Sequence, residues 1–263
     1  MLHNLAQLPR YRGLIQSLVA RELKARYRGS VLGFFWSFIN PLTLLLIYTF
    51  VFKYVMPAAV QGVSNYPLFM FCGLLPWTWF QTSLVESSNI LISGGNLIKK
   101  VMFPAEVLPI VTVLANLVHF LLGLPILLAF LIYFGRPLHA TELVWFPLVV
   151  LVQLLLSVGL ALILSALTVH FRDIKDILAN IMSLWFFSTP IIYYWRFAPA
   201  PIQPYLNLNP FTHLAISYQE ILYLDGDFGH WKWLLATGGM SVLLFLVGFW
   251  LFDRLRDSFA EEV

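Results

Sequence analysis

Charge is what this 263-residue sequence has least of: Asp, Glu, Lys and Arg make up 11% of it, against 60% hydrophobic residues. None of the four occurs from Gly29 to Phe52, Tyr54 to Val85, Val107 to Gly135, Leu143 to Phe171, Ile177 to Trp195 or Trp233 to Phe252. Each run reaches or approaches the roughly 20 residues that cross ~30 Å of hydrocarbon at 1.5 Å per residue. With a mean hydropathy of +0.80, this excludes an ordinary soluble domain. Cysteine is also nearly missing. Cys72 stands alone, so the chain has no internal disulfide and no cysteine-rich metal site, and this residue reads as a small apolar one in a helix. A phosphate-binding loop is absent too, because such a loop places Gly directly before its Lys. The residues preceding Lys24, Lys53, Lys99, Lys100, Lys175 and Lys232 are Leu, Phe, Ile, Lys, Ile and Trp. The first apolar run is too long for a signal-peptide core, and no small-x-small cleavage site follows it at 55–60, so it reads as a permanent span.

What remains is an all-α integral membrane protein. The sequence predicts six membrane spans, over 31–56, 66–92, 107–134, 143–170, 174–194 and 232–252, in a single domain of 1–263. Basic residues stay on the cytosolic side of short loops. With a cytosolic N-terminus, Arg10, Arg12, Arg21, Lys24, Arg26, Arg28, Lys99, Lys100, Arg172, Lys175, Arg254 and Arg256 lie inside, leaving Lys53, Arg136, Arg196 and Lys232 outside, 12 against 4. Both termini are therefore expected in the cytosol. This asymmetry accounts for the net charge of +3 without a nucleic-acid partner.

Three segments stand apart from the spans. Within residues 1–30, Tyr11, Leu14, Ile15, Leu18 and Val19 fall at helical spacing while Arg21, Lys24 and Arg28 face elsewhere. That pattern is a basic amphipathic helix along the inner membrane surface, and an anchor on anionic lipid has the same composition. The outer segment 195–231 carries Pro199, Pro201, Pro204 and Pro210. Asn209-Pro210 reads as an N-cap followed by proline in the first turn, and Leu214, Tyr218, Ile221 and Leu222 mark an apolar stripe that rests in the outer leaflet or dips into it as a re-entrant piece. The third segment, 94–106, sets Lys99 and Lys100 among Leu97, Ile98, Val101, Met102 and Phe103. A helix docking its apolar face on another protein explains this mixture; an interfacial loop with snorkelling lysines explains it equally.

The order of short blocks carries further information. Gly33-Phe34-Phe35-Trp36-Ser37-Phe38-Ile39-Asn40-Pro41, Gly73-Leu74-Leu75-Pro76-Trp77, Asn96 through Pro104, Phe171-Arg172-Asp173-Ile174-Lys175, Thr189-Pro190-Ile191-Ile192-Tyr193 and Leu208-Asn209-Pro210-Phe211 resemble, in sequence, the ABC-2 type permeases that export polysaccharides. The resemblance covers almost the whole chain and is strongest to membrane subunits of O-antigen, capsule and wall teichoic acid exporters. It implies a homodimer around a central path with two copies of a separate cytosolic ATPase, which binds the ATP and Mg; this chain itself needs no cofactor and is not an enzyme. The implied substrate is a lipid-linked polysaccharide on an undecaprenyl-diphosphate-type carrier, and the implied location is the bacterial inner membrane. The coupling helix of the family maps onto Asn96, Leu97, Ile98, Lys99, Lys100, Phe103 and Pro104, with Arg21 and Lys24 of the basic helix also facing the ATPase.

Aromatic rings suit a sugar path because they stack on sugars without gripping one in place. Phe35, Trp36, Tyr48, Trp77, Trp79 and Phe80 are the candidates, while Trp145, Trp195, Trp231 and Trp233 read as an interfacial belt and Trp185 as packing. Pro76 and Pro190 mark kinks or breaks. Arg26, Arg28 and Arg172 are candidates for the carrier diphosphate, since guanidinium matches phosphate geometry, although Arg172, Asp173, Lys175 and Asp176 also suit a local salt-bridged turn. A membrane transferase using His170, Asp173 and Asp176 lacks a second catalytic motif. A secondary flippase needs ionisable groups within its spans, where His119 is the main exception. An ABC-2 permease for teichoic acid, drugs or lipids is the nearer alternative.

Overall fold

The computed structural model describes residues 8–30, 32–55, 65–95, 103–136, 140–224 and 226–262. All regular structure among them is helical. Following a short 3-10 turn, α1 spans Arg12–Arg26, α2 Trp36–Phe50, α3 Tyr66–Ser93, α4 Val107–Tyr133, α5 Phe146–His170, α6 Ile174–Phe187, α7 Pro210–Leu222 and α8 Trp231–Leu255. Four helices among the described residues are long and apolar enough to cross a membrane: α3, α4, α5 with the turn before it, and α8 with the turn after it. α2 is shorter and continues into a π-helical turn, Val51–Val55.

The bundle is organised around α3, which packs against α2, α4, α5, α6 and α7. Its flanks are filled by Leu68, Phe69, Phe71, Leu74, Trp77 and Phe80. α5 pairs most extensively with α8, where glycine allows two backbones to meet: a Cβ on Gly248 would lie 2.4 Å from the carbonyl oxygen of Gly159. Hydroxyls buried in the same bundle donate along their own helices, as Thr168 does to the Leu164 carbonyl at 2.7 Å and Ser241 to that of Thr237 at 2.8 Å. Small and hydroxylated residues of this kind let membrane helices approach closely. Outward, Leu121, Leu128, Ile132, Leu151, Leu243 and Trp250 are exposed, an apolar girdle suited to lipid rather than water.

One expectation changes and another is narrowed. The helix expected over 174–194 ends at Phe187. At 14 residues it reaches about 21 Å, short of the ~30 Å hydrocarbon layer. The cause is Thr189-Pro190: proline at 190 has no N–H to donate to Phe186 and its ring clashes with a helical predecessor. The narrowing concerns α7. Its side chains Phe211, Thr212, Leu214, Ser217, Tyr218, Gln219 and Ile221 are buried, and it packs among α3, α5 and α8. Of the two placements the sequence left open, the segment carrying α7 thus takes the one that folds back into the bundle. Its start is as the sequence indicates: the Asn209 side chain accepts a hydrogen bond from the Phe211 N–H at 3.0 Å, and proline follows the cap.

Candidate translocation and coupling site

α1 packs Tyr11, Leu14, Ile15, Leu18 and Val19 against Val107 and Val111 of α4. Eight residues further along α1, Arg26 Nη1 donates to Asn116 Oδ1 of α4 at 2.9 Å. Eight residues of helix rise about 12 Å, and the five to nine residues from Val111 or Val107 to Asn116 rise about 8–14 Å. α1 therefore climbs beside α4 in the same direction, which the expectation of a helix lying along the membrane surface did not include. Arg26 Nη2 donates to Glu86 Oε2 of α3 at 2.7 Å, and Asn116 Nδ2 donates to the same oxygen at 2.7 Å. The Tyr27 hydroxyl lies 3.1 Å from His119 Nδ1, three residues after Asn116.

Arg26, Tyr27, Asn116 and His119 border a cavity of about 670 Å³ whose wall also includes Ser30, Trp36, Asn40, Thr43, Thr78, Trp79, Thr82 and Phe120. Trp79 donates its indole N–H to the Val113 carbonyl at 3.2 Å and stacks on Phe120 at a centroid distance of 5.2 Å. Trp36 is 40% exposed and Phe35 66% exposed. Of the six aromatic candidates these two present open ring surface, and Trp79 reaches the cavity wall.

Trp77 and Phe80 are placed differently. Their rings are buried against Trp185, Phe186 and Phe211, with Trp77 to Phe211 at 5.0 Å and Phe80 to Phe211 at 4.7 Å between centroids. Tyr48 is half-buried and meets Phe186 at 5.4 Å. In this conformation the three rings hold α2, α3, α6 and α7 together and offer no free face. Trp185 also packs, as expected, and donates its indole N–H to Asn209 Oδ1 at 2.7 Å.

Pro76 does not break its helix, since α3 runs uninterrupted from Tyr66 to Ser93; Pro190 does lie at a break, and both prolines have a buried glutamine on their carbonyl. Gln153 of α5 donates to the Pro76 oxygen at 2.8 Å, and Gln219 of α7 donates to the Pro190 oxygen at 2.8 Å. Asn209 joins the break at Pro190 from another side, donating to Thr189 Oγ1 at 3.0 Å while capping α7. Irregular backbone inside a membrane bundle requires such internal partners. Beside this break, a second cavity of about 630 Å³ is lined by Phe187, Tyr193, Phe197, Tyr205 and Asn209 among others. Next to the start of α8, His213 Nδ1 and His230 Nε2 lie 3.0 Å apart, His213 Nε2 lies 3.0 Å from the Asn207 carbonyl, and the His213 ring stacks on Trp233 at 4.5 Å. Burial and the neighbouring His213 hold the His230 imidazole down at about 4.

Asn96, Leu97, Ile98, Lys99 and Lys100 lie outside the described residues. Phe103 and Pro104 are half-buried, and Phe103 packs both on the α1–α4 cluster and on the main core. Its ring therefore points into this chain. Arg21, Lys24, Arg28 and Arg172 are exposed, whereas the Arg26 guanidinium is held by Glu86 and Asn116. The sequence reading passed over Glu86, Asn116, Gln153 and Gln219. For three of them the signal was present: Glu86, Asn116 and Gln153 are an acid and two amides set in long apolar helices, where an unpartnered polar group is costly. Among the described residues no group of three His, Cys, Asp or Glu side chains is placed to hold a metal ion.

The family model for ABC-2 type transporters matches residues 13–223. An O-antigen export system permease protein from Myxococcus xanthus is 41% identical over 269 residues, covering 100% of both chains. A protein of the same description from Klebsiella pneumoniae is 34% identical over 250 residues, covering 94% of each. A polysialic acid transport protein from Escherichia coli is more distant, 23% identical over 203 residues, covering 76% of this chain and 78% of its own length.

Proposed function

Because the chain belongs to the ABC-2 type transporter family, we propose that it is the permease subunit of an ATP-driven exporter of a lipid-linked polysaccharide of the O-antigen class. The observation that carries this reading is full-length similarity at 41% identity to an O-antigen export permease. The protein is a multi-pass component of the bacterial inner membrane. Its partner is a separate cytosolic ABC ATPase, consistent with a sequence that has no phosphate-binding loop of its own. Two copies of each form the complex, with the path at or near the interface between the two permeases.

Six segments complete the membrane domain with both termini in the cytosol. α2 and its π-helical turn together make 20 residues, about 30 Å of rise, and α6 runs inward of the Thr189-Pro190 break to form the fifth, incomplete span. ATP-driven closure of the ATPases pushes on the segment 96–104 and on the exposed Arg21 and Lys24 of α1. Phe103 roots that segment between α1 and α4, while Lys99 and Lys100 meet the ATPase. The glycan, hydrated and attached to a charged carrier, cannot cross hydrocarbon unaided. Trp36 and Phe35 offer stacking surfaces at the inner approach, and Arg28 and Arg172 remain available to the carrier diphosphate.

Deleting this chain from its host tests the reading. The expected result is loss of the surface glycan with accumulation of its lipid-linked precursor on the cytosolic face. Surface glycan that persists without precursor accumulation refutes it.

A further inference from the structure

The Glu86 carboxylate is the only charged side chain in α3. A single one of its oxygens, Oε2, accepts from Arg26 at the end of α1 and from Asn116 inside α4. Asn116 closes the triangle by accepting from the other terminal nitrogen of Arg26. One residue on, Tyr27 meets His119 on the same face of α4. Three helices are thus tied at one point by charge-assisted bonds, which are shorter and stronger than neutral ones. α1 already has an apolar seat on Val107 and Val111, enough to hold a helix at a membrane surface. A partly buried ion pair adds little to stability but does fix one geometry.

The location of the knot gives that geometry a use. Following the chain from Glu86 leads, ten residues later, into the segment 96–104; Asn116 lies twelve residues beyond the end of that segment. Arg26 closes the helix that carries Arg21 and Lys24. The two elements proposed to receive force from the ATPase therefore converge on the same carboxylate. On the membrane side, Arg26 and Asn116 belong to the wall of the cavity that contains Trp36 and Trp79.

From this convergence, and resting on the permease reading above, we infer that Glu86, Arg26 and Asn116 make α1, α3 and α4 move as one lever, with Glu86 as the positioning residue that couples ATP hydrolysis to export. The knot also assigns Arg26 a role other than phosphate capture, since both its terminal nitrogens are engaged.

The test uses the complete complex of permease and ATPase in the deletion strain and in purified form, reading surface glycan, ATP hydrolysis and the yield of assembled complex. Glu86→Gln keeps the shape of the side chain and removes its charge. It is expected to lower glycan exported per ATP hydrolysed about tenfold, the effect of losing one charge-assisted bond, with assembly unchanged. The exchanged pair Arg26→Glu with Glu86→Arg is expected to export more than either single variant. A short thiol-reactive bridge between Leu18→Cys and Val111→Cys, introduced with Glu86→Gln, replaces the knot mechanically and is expected to restore the ratio; Cys72 is fully buried and leaves the background clean. An unchanged ratio in Glu86→Gln overturns the inference, as does a parallel loss of hydrolysis and export that the bridge does not rescue. A wild-type complex with no associated ATPase overturns the permease reading itself, and the inference with it.

Discussion

The contact between Gly159 and Gly248 offers a sharp test of the bundle's packing. In Gly248→Ala the new Cβ would lie 2.4 Å from the Gly159 oxygen, 0.6 Å inside the 3.0 Å limit that real Cβ atoms respect. The obstacle is backbone, so no side-chain rotation relieves it; α5 and α8 must separate. A gap of ~0.5–1 Å forfeits a quarter to a half of each local dispersion contact, and overpacking of this kind costs about 1–3 kcal/mol. Gly239, on the same helix, has nothing within 4 Å of its virtual Cβ. There alanine gains the helix-propensity difference of up to ~1 kcal/mol. The propensity gain is common to both sites, so the two variants are expected to differ by the overpacking cost alone, about 1–3 kcal/mol, with Gly248→Ala the less stable. Thermal unfolding of the purified protein in one detergent measures this directly. A Gly248→Ala variant as stable as Gly239→Ala refutes the close approach of α5 and α8.

Three other perturbations follow from buried polar and aromatic groups. Gln219→Leu removes the donor to the Pro190 carbonyl at nearly constant volume and is expected to cost about 1–3 kcal/mol, read as a lowered unfolding midpoint together with reduced export. Trp77→Ala opens a void among Phe80, Trp185, Phe186 and Phe211 and is expected to cost about 3–5 kcal/mol; an unchanged midpoint would contradict its burial. His230 has its folded-state value lowered to about 4 from roughly 6.5 when unfolded, so the unfolded chain binds the extra proton first as pH falls. Stability from this site is full above ~6.5 and is lost as pH drops toward 4. His230→Gln should flatten that part of the stability–pH curve, with Tm against pH as the measurement.

Much of the helical framework was legible because apolar runs longer than twenty residues are hard to place anywhere but a membrane. α1 was legible from the spacing of Leu14, Leu18 and the basic residues, and the start of α7 from Asn209-Pro210, both local signals. What escaped was relational. Thr212, Ser217 and Gln219 of α7 are buried as fully as its apolar stripe; Gln219 finds the Pro190 carbonyl, a partner 29 residues away that local periodicity does not reveal. α6 is shorter than its apolar run because Thr189-Pro190 stops the helix while the composition stays hydrophobic. Trp77 and Trp79 were equivalent as letters. Their two-residue spacing turns them to different sides of α3, one into the aromatic cluster and the other toward the cavity.

The burial of α3 also bears on how the protein is made. This helix is the least apolar of the four long ones, and it carries Gln81, Ser83, Glu86, Ser87 and Ser88 in its C-terminal half. Its finished surroundings are α2, α4, α5, α6 and α7, and all but α2 are synthesised after it. When α3 leaves the ribosome, Arg26 is already made and can meet Glu86, but Asn116 and Gln153, which bond Glu86 and the Pro76 carbonyl, are not. The full set of polar partners of this span is therefore complete only once α4 and α5 have followed it.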